Sequence, residues 1–454
     1  MKVLKFGGTS VGTVESLRNV KAIVEGLDQP AIIVVSALGG LTDKLIATAN
    51  SAASGSSDFK EEMKAIRQRH YDIIDQLVPD QRRDSVIETI NPLLDQLEER
   101  YCGLSMIRIL PQRTLDEIVS FGERISSVIV ANILDNASHH NSLEFIKTEK
   151  WFNRNIADRQ LTDRLIREQF PLPLTQHCVL GGFISTDKNT GDITNLGRGG
   201  SDYTAALVAA TLDADLLEIW TDVDGFLSAD PRIIPEAHII PQMSFVESME
   251  LCSFGAKVIY PPTIYPVFHR NIPIKILNTF NPSAPGTFIS DSVPEKGKVR
   301  GVSSLNNTAM ISIEGPLTAN VAEINSRTYN AMARHGISVL LVAQPSGEAS
   351  LSIAMPANDA EEAIKQLQLE FAPEIRSGEV ISVNKVDNLS VVAAVGEGIR
   401  QIEGLGARLV NTLQRSGITV EAISDGVSDT TVAIVVDSDA VKDALRLVHS
   451  AVFV

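Results

Sequence analysis

The segment Val3–Ser10, Val-Leu-Lys-Phe-Gly-Gly-Thr-Ser, decides the fold of the first part of this 454-residue chain. Its apolar residues predict a buried β-strand that runs directly into a glycine turn. A lysine inside a buried strand is costly unless its ammonium group meets an anion, so Lys5 indicates an anion at the strand end. Glycine lets backbone N–H groups approach phosphate oxygens closely. The candidate phosphate-binding residues are therefore Gly7, Gly8, Thr9 and Ser10.

Two later segments have the same character. Leu196–Thr204 is a glycine-rich turn that opens a predicted helix and places Arg198 and Asp202 four residues apart. Trp220–Gly225 is a predicted strand end followed by an acidic turn, and Asp230–Arg232 comes shortly after it. Each segment alone is also explained by a structural turn. Together, at the ends of successive predicted strands, they predict one site beyond the carboxyl edge of a sheet.

Two common nucleotide motifs are absent from the sequence. A Walker loop requires G-x-x-x-x-G-K-[ST], whereas Gly297-Lys298 is followed by valine and has no glycine five positions before it. The dinucleotide fingerprint also fails, because Gln401 stands where the third glycine after Gly396 and Gly398 belongs. A nucleotide site in this chain therefore has to use a different loop.

Short apolar runs alternate with helical patterns over the first part of the chain. This alternation predicts an α/β layered domain with a largely parallel sheet. The polar stretch Ser57–Leu110 predicts two or three amphipathic helices. The clearest predicted strands are Val3–Phe6, Ala31–Val35, Leu143–Ile146, Cys178–Leu180 and Leu216–Trp220.

Turn-forming residues follow Phe280, and Ser290–Arg300 is polar. They predict a domain boundary near residue 295, between a first domain at 1–295 and a second region at 296–454.

The second region contains an internal repeat. Thr308–Gly315 matches Leu389–Gly396 at an offset of 81 residues (389 − 308), and the glycines after the next predicted helices keep that offset. Two unrelated segments would not share one offset over several elements. The repeat predicts two successive βαββαβ modules, at about 303–380 and 381–454.

Composition excludes several classes of protein. The formal net charge is −16, whereas nucleic-acid binding relies on clustered Lys and Arg, so no nucleic-acid partner is expected. The three cysteines lie far apart without a C-x-x-C pair, and no metal-ligating residues are assigned. No apolar run approaches the ~20 residues of a membrane span. Because Met1–Leu4 enters a strand without a signal-peptide pattern, we expect a cytoplasmic enzyme with no membrane partner.

Four segments, in order, resemble the signatures of aspartate kinases: K-F-G-G-T-S-V, G-R-G-G-S-D-Y-T, W-T-D-V-D-G with D-P-R, and F-G-A-K-V. The repeat resembles the paired ACT domains of those enzymes. The resemblance implies a three-layer αβα amino-acid-kinase domain with a mostly parallel sheet, followed by two ACT-like modules. It implies phosphorylation of L-aspartate to 4-phospho-L-aspartate by ATP with Mg2+, the first step toward lysine, threonine and methionine.

Phosphoryl transfer depends on positioning and charge stabilisation, and the resemblance helps to assign the residues. Lys5 would hold the transferring phosphoryl group, helped by the N–H groups of Gly7 and Gly8. Lys257 would approach the nucleotide phosphates, and Asp202 would orient the lysines or a magnesium-bound water. The nucleotide-binding candidates are Thr221, Asp222, Arg232 and Lys257.

The predicted substrate pocket combines opposite charges. Arg198 suits a bidentate grip on the substrate's α-carboxylate, and Glu123 resembles the residue that pairs with its α-ammonium group. The substrate-binding candidates are Ser36, Thr42, Glu123, Arg198, Gly199, Gly200 and Ser201.

The resemblance further implies an amino-acid effector and a homodimer or homotetramer formed through the ACT modules. Leu340 stands where lysine-sensitive relatives tend to have an aspartate, so threonine is favoured over lysine. A degenerate pair that serves only as a dimer interface is the alternative. The effector-binding candidates are Val339, Gln344 and Asp425.

Other interpretations stay open at this point. Arg446–Val454 resembles the segment before the homoserine dehydrogenase half of bifunctional relatives, so the chain is either monofunctional or part of such an enzyme. An amino-acid kinase acting on glutamate or carbamate is one alternative. A catalytically silent amino-acid sensor is another, although Lys5, Arg198 and Asp202 are all present.

Overall fold

The computed structural model describes residues 1–151, 154–293, 295–315, 321–344, 349–378, 380, 382–425 and 428–453. The polypeptide crosses three times between two structural units. The first consists of Met1–Phe226 and Val258–Asp291, and the second of Leu227–Lys257 and Ser292–Val454. The last crossing lies near the predicted boundary at residue 295. The sequence did not predict the two earlier crossings, around residues 227 and 257.

The described strands and helices are as follows. The strands are β1 (Lys2–Phe6), β2 (Ile32–Val35), β3 (Ala137–His140), β4 (Lys147–Trp151), β5 (Arg154–Ala157), β6 (His177–Gly181), β7 (Ile184–Asp187), β8 (Ile193–Asn195), β9 (Leu216–Thr221), β10 (Gln242–Ser244), β11 (Ile274–Asn278), β12 (Thr287–Ser290), β13 (Gly301–Gly315), β14 (Leu341–Ala343), β15 (Ala349–Pro356), β16 (Ser382–Val395), β17 (Ala422–Ser424) and β18 (Thr431–Asp437). The helices are α1 (Val14–Glu25), α2 (Leu41–Ser54), α3 (Phe59–Leu77), α4 (Asp80–Ile107), α5 (Gln112–Ile133), α6 (Arg159–Gln169), α7 (Gly200–Thr211), α8 (Phe245–Ser253), α9 (Tyr265–Phe268), α10 (Val321–Arg334), α11 (Ala357–Glu370), α12 (Ala372–Ser377), α13 (Leu405–Arg415) and α14 (Val441–Val452).

The first unit is built on a mostly parallel sheet, as predicted. Its strands follow the order β12-β11-β9-β1-β2-β6-β3, and of these pairs only β11–β12 is antiparallel within the described part of the chain. Lys5 on β1 is paired with Val34 on β2 and with Ile219 on β9. The loops after these central parallel strands therefore leave the sheet at the same edge.

Helices cover both faces of this sheet and confirm the three-layer prediction. Leu4 and Phe6 are buried in one hydrophobic cluster with residues of α1 to α5. Helix α7 packs against β1, β2 and β9. Because successive strand residues point to opposite faces, Lys5 points away from the α1–α5 layer and toward α7.

Two local predictions have different outcomes. Helices α3 and α4 confirm the amphipathic helices predicted between Ser57 and Leu110.

The strand predicted at Leu143–Ile146 is wrong, because Ser142–Glu144 forms a 3-10 turn between β3 and β4. Asn141 caps this turn by accepting the Leu143 N–H. Phe145 and Ile146 are nevertheless buried. The short apolar run therefore predicted the burial of these residues correctly but their secondary structure wrongly.

The second unit contains a six-stranded sheet in the order β14-β15-β13-β16-β18-β17, counted over the described residues. Thr308–Gly315 of β13 pairs with β15 and with the first half of β16, which completes the first module. Gly301–Leu305 of β13 pairs with Val391–Val395 of β16, beside β18. The segment Gly301–Leu305 therefore completes the sheet of the second module, although it precedes the first module in sequence. The sequence did not predict this position of the segment, whereas the repeated βαββα pattern is confirmed.

Equivalent features of the two modules keep the 81-residue offset. Gly336 and Gly417 follow α10 and α13, and both have positive φ angles, 67° and 78°. This is the left-handed conformation that favours glycine after a helix. The edge strands β14 and β17 also correspond, and they contact each other.

None of the helices in the described ranges is long and apolar enough to cross a membrane.

Candidate active site

The side chain of Lys5 is directed to the first turn of α7. Its Nζ lies 2.7 Å from Oδ1 of Asp202, and both side chains are largely buried. The contact is an ion pair rather than an aligned hydrogen bond, because Oδ1 receives no N–H with suitable geometry among the described residues. A carboxylate in the first turn of a helix is itself favoured by the helix dipole. The structure therefore brings together two of the predicted catalytic residues.

The glycine loop after β1 corrects part of the phosphate-cradle prediction. The Gly7 N–H donates to the Trp220 carbonyl oxygen at 3.1 Å, so it is already occupied. The Ser10 hydroxyl is fully buried and lies 2.7 Å from the Thr279 hydroxyl. Gly7 and Ser10 thus hold the loop against β9 and the end of β11, whereas Thr9 is exposed. The phosphate-binding prediction is better placed on Gly8 and Thr9.

The loops after β1 and β2 are packed backbone to backbone. A Cβ atom at Gly39 would lie 2.9 Å from the Gly8 carbonyl oxygen, and one at Gly12 would lie 3.0 Å from it. Contacts this short leave no room for a side chain, so the close approach of the two loop backbones requires glycine at these positions. These loops, Gly7–Gly12 and Ser36–Gly40, form one side of the site.

The second loop leads into helix α2. Gly40 has a φ of 73° and caps the helix, and Thr42 lies in its first turn. The Ser36 N–H donates to the Phe6 carbonyl oxygen at 3.1 Å, and the Ser126 hydroxyl donates to the Ser36 carbonyl oxygen at 2.8 Å. The predicted pocket residue Ser36 is therefore held between the sheet and α5.

Glu123 lies on α5 and is almost fully buried. The Ala37 backbone N–H donates to its carboxylate, but Oε2 has no hydrogen-bond partner among the described residues. Burial raises the pKa of Glu123 to about 8, because the charged form loses hydration. A buried carboxylate oxygen without a partner is suited to receive an ammonium group from a ligand.

The turn that carries Arg198 lies between two left-handed glycines, Gly197 (φ 74°) and Gly199 (φ 69°). Asn195 fixes its start, because its Oδ1 accepts the Gly197 N–H at 3.0 Å. Nδ2 of Asn195 in turn donates to Oδ1 of buried Asp116 at 2.9 Å. Burial raises the pKa of Asp116 above its usual value. The sequence analysis did not predict Asp116 and Asn195. Their hydrogen bonds fix the position of the turn that carries Arg198.

Phe183 was also missed. Its φ is 65°, which is unusual for a bulky residue and often marks a functional site. Its N–H donates to the Thr204 hydroxyl at 3.0 Å, and its ring approaches Gly200 so closely that a Cβ there would lie 2.8 Å from it. A single sequence gives no signal for this conformation.

These elements enclose a cavity of about 370 Å3. Cationic and acidic side chains face it together, with Gly8 from the first loop. The charged residues that line the cavity are Lys5, Asp43, Glu123, Arg198 and Asp202. The other predicted substrate residues in the lining are Ser36, Thr42, Gly199, Gly200 and Ser201. The cavity is thus suited to a small zwitterionic molecule.

The predicted nucleotide residues are divided between the two units. Thr221 ends β9, and its hydroxyl donates to the Asp222 carboxylate at 3.3 Å. Arg232 belongs to the second unit, is exposed, and pairs with Asp230 through Nε and Nη2. Lys257 is exposed and ends the Leu227–Lys257 segment of the second unit. The roles of these residues at a nucleotide stay predictions.

The predicted effector residues lie in the second unit. Gln344 follows β14, and its Oε1 accepts the Asn325 side-chain N–H at 2.9 Å. Oδ1 of Asn325 is buried and has no partner among the described residues. Asp425 follows β17 at the equivalent place and lies against Gly406, where a Cβ would be 2.0 Å from Oδ2. Val339 is exposed in the turn before β14. The two modules are therefore not equivalent at this position.

The described residues contain no cluster of three His, Cys, Asp or Glu side chains arranged to hold a metal ion. Mg2+ is commonly bound by one or two carboxylates together with substrate phosphates, so such a cluster is not required for it. Asp202 lines the cavity and pairs with Lys5, so its carboxylate fits a site in which one protein carboxylate and substrate phosphates hold the ion.

Comparison with known families gives two matches. The amino acid kinase family model matches residues 1–278, which is more than half of the chain. The ACT domain model matches residues 311–371 and 392–452, which fall in the two modules of the second unit.

Individual proteins are similar over the whole chain. A bifunctional aspartokinase/homoserine dehydrogenase of Haemophilus influenzae is 32% identical, over 100% of this chain and 56% of that protein. The chain spans about half the length of the bifunctional relatives it matches. The structure of E. coli aspartokinase III with aspartate and ADP has a TM-score of 0.85 and 27% identity, covering 100% of both chains. The same enzyme with lysine and aspartate has a TM-score of 0.77 and 26% identity, again over both whole chains.

Proposed function

Because this chain belongs to the amino acid kinase family, we propose that it transfers the γ-phosphoryl group of ATP to the side-chain carboxylate of L-aspartate. The products are ADP and 4-phospho-L-aspartate. The observation that carries the proposal is the cavity of about 370 Å3 that combines Lys5, Glu123, Arg198 and Asp202. Cationic and acidic groups in one site suit a substrate with two carboxylates and one ammonium group.

Each charge in the cavity has a partner on the substrate. Arg198 pairs with the α-carboxylate, and the free oxygen of Glu123 receives the α-ammonium group. The side-chain carboxylate is then directed toward Lys5 and attacks the γ-phosphorus in line, while ADP leaves. A carboxylate is ionised at neutral pH, so this attack requires no general base. Lys5 stabilises the charge that spreads over the phosphoryl oxygens.

ATP enters this proposal together with Mg2+. Gly8 and Thr9 of the first loop, with Thr221 and Asp222 at the end of β9, form the nucleotide side within the first unit. When bound to the nucleotide phosphates, Mg2+ would neutralise part of their charge. Asp202 is the residue that would hold the ion or one of its waters. Arg232 and Lys257 keep their predicted roles toward the nucleotide.

The substrate assignment is tested by measuring ADP release with aspartate, glutamate and carbamate in parallel. We expect aspartate to give the highest kcat/KM by at least tenfold, because glutamate's extra methylene misplaces its side-chain carboxylate. Equal rates for aspartate and glutamate would contradict the assignment. Complete absence of turnover, with amino-acid binding retained in calorimetry, would favour the silent sensor instead.

The regulatory proposal concerns the second unit. Gln344 and Asp425 follow the equivalent edge strands β14 and β17, which contact each other. An amino acid binds beside these strands and inhibits the kinase, with threonine favoured over lysine. Leu340 supports this choice, because it is an apolar side chain at the place where a lysine ammonium group would need a carboxylate.

Separate titrations of threonine and lysine against kinase activity test the effector. Threonine should inhibit and lysine should not. Gln344→Ala should raise the threonine concentration for half inhibition about fivefold, since a lost hydrogen bond to a polar ligand is worth about 1 kcal/mol. Gln366→Ala is the control, because this exposed amide bonds to Glu362 on its own helix. Inhibition by lysine alone would overturn the assignment.

The assembly and compartment complete the proposal. ACT modules in the relatives' family suit pairing between chains, so a homodimer or homotetramer formed through the second unit is proposed. The cytoplasm is the proposed compartment. Light scattering on the purified chain, with and without threonine, measures the assembly state directly; a monomer under both conditions would exclude it.

A further inference from the structure

Arg69 is a charged residue of α3 that lies outside the cavity and has no role in the function proposed above. One of its nitrogens, Nη2, donates to the Gly12 carbonyl oxygen and to the Gly39 carbonyl oxygen, each at 2.8 Å. Gly12 ends the loop after β1, and Gly39 lies in the loop after β2. A single guanidinium group therefore bridges the two loops that form one side of the cavity.

The two loops need such a bridge because of how they meet. Their backbones are in contact at Gly8, Gly12 and Gly39, with no side chain between them. At this contact, the carbonyl oxygens of Gly12 and Gly39 converge on the same nitrogen of Arg69. Converging carbonyl dipoles repel each other unless a donor lies between them, and a cationic donor makes the stronger bonds.

The surroundings of Arg69 are consistent with a fixed guanidinium. Burial lowers its pKa, yet a guanidinium stays charged at any physiological pH. A cavity of about 410 Å3 opens beside it and is lined by Thr13, Gln68 and Asp72 as well as Gly12. This space is large enough for a small solute to reach the position of the guanidinium group.

We propose that Arg69 is a positioning residue for phosphoryl transfer, which holds the loop Gly7–Gly12 in register with the loop Ser36–Gly40. The inference rests on the proposed function. The first loop is on the phosphate side of the cavity, and the second carries Ser36 and leads to Thr42 on the substrate side. Their relative position therefore sets the distance between the γ-phosphorus and the attacking carboxylate.

The loss of Arg69 should affect the chemical step more than binding. Small misplacement of reacting groups reduces rate strongly, by up to about 10²-fold for a shift of about 1 Å. We expect Arg69→Ala to lower kcat by about 10- to 100-fold while the KM values for ATP and aspartate change less than threefold. Added guanidinium ion, at millimolar concentrations, should restore part of kcat by occupying the vacated space. Arg69→Lys should retain more activity than Arg69→Ala.

Arg67 provides a matched control on the same helix. Its Nη2 donates to Asp95 at 2.7 Å and to Glu98 at 3.3 Å, both on α4, and neither of these hydrogen bonds involves the two loops. Arg67→Ala should keep wild-type kcat and should not respond to guanidinium. An equal loss of kcat in both variants, or a loss in Arg69→Ala without rescue, would overturn the proposal.

Hydrogen–deuterium exchange gives a readout that is independent of activity. Residues 7–12 and 36–40 should exchange faster in Arg69→Ala than in the wild type, and at the wild-type rate in Arg67→Ala. Unchanged exchange in both loops would refute the bridging role even if the wild type proved inactive toward aspartate. Absence of wild-type turnover with faster loop exchange in Arg69→Ala would instead refute the proposed function alone. If Arg69→Ala does not fold, Arg69→Lys is compared in the same way.

Discussion

The ammonium nitrogen of Lys5 lies 2.7 Å from Oδ1 of Asp202, although one residue is in the first strand and the other in the seventh helix. The alternation of side chains along β1 causes this contact. Leu4 and Phe6 enter the hydrophobic cluster on one face, so Lys5 is directed to the other face, where α7 begins. The lysine proposed to act in phosphoryl transfer is thus placed by the same alternation of side chains that builds the core.

Replacing Lys5 tests this placement. Lys5→Ala should lower kcat by about 10²- to 10³-fold, the usual loss when one stabilising group is removed from a transition state. The fold should survive, because Asp202 stays in the first turn of α7, where the helix dipole favours a negative charge. Steady-state kinetics and circular dichroism measure the two effects. Unchanged turnover would refute the role of Lys5.

Replacing Asn195 tests the support of Arg198. Asn195→Ala removes the acceptor for the Gly197 N–H and one donor to Asp116, so the turn loses its position. The KM for aspartate should rise about 5- to 30-fold, and the KM for ATP should change less than twofold, since each hydrogen bond is worth about 1 kcal/mol. Gln112→Ala is the control: Gln112 donates to the same oxygen of Asp116 at 2.7 Å, and none of its described contacts reaches the turn. Equal changes in both KM values would contradict this assignment.

Glu123 should make aspartate binding depend on pH. Its pKa is raised to about 8, so its neutral form predominates below that pH in the free protein. An ammonium group binds the ionised form, and binding therefore has to release a proton at lower pH. The value of kcat/KM for aspartate should rise as pH increases from 6, reach half of its maximum near pH 8 and level off only above that pH. Glu123→Gln should be less active and lose this rise; an identical profile in the variant would exclude the role.

His70 should contribute to acid sensitivity. It is fully buried on α3, its Nδ1 lies 2.7 Å from the Ile66 carbonyl oxygen, and burial lowers its pKa to about 4. The unfolded chain, with a pKa near 6.5, binds a proton more readily, so stability falls as pH decreases from about 6.5 to 4. From pH 7.5 to 5 this single group should reduce the free energy of unfolding by about 2 kcal/mol.

His70→Leu removes this titration. Urea unfolding midpoints of the wild type and the variant, measured at both pH values, give the comparison. The wild type should lose more stability between pH 7.5 and 5 than the variant does. The same loss in both proteins would show that His70 does not titrate as described.

Much of the site could be predicted because its residues follow parallel strands. Lys5, Arg198 and Asp202 lie in glycine-rich segments near strand ends, and such segments meet at one edge of the sheet. Glu123 could be assigned only by resemblance, since its position on a helix indicates nothing about the cavity. The sequence pattern therefore predicts residues at strand ends better than residues on neighbouring helices.

The missed features depend on contacts between distant segments. Arg69 lies on an amphipathic helix, where an arginine is ordinarily a solvated surface charge, and its bonds to two loops have no local signal. Asp116 and Asn195 meet only in the folded chain. The left-handed conformation of Phe183 is likewise set by its neighbours in space. Gly7 was assigned to phosphate because glycine suits that role, although its N–H is used by β9.

Strand β13, which is shared by the two modules, limits how the second unit can be exchanged between enzymes. Gly301–Leu305 closes the second module, whereas Thr308–Gly315 belongs to the first. A chimera joined between the modules would pair Val391–Val395 with a strand from the other enzyme instead of with its native partner. Ala229 and Ile234 also belong to the second module's core, so a graft that starts at Gly301 would open that core. The effector specificity proposed for this unit can therefore be transplanted intact only as one block that includes Leu227–Lys257. Otherwise it has to be changed residue by residue.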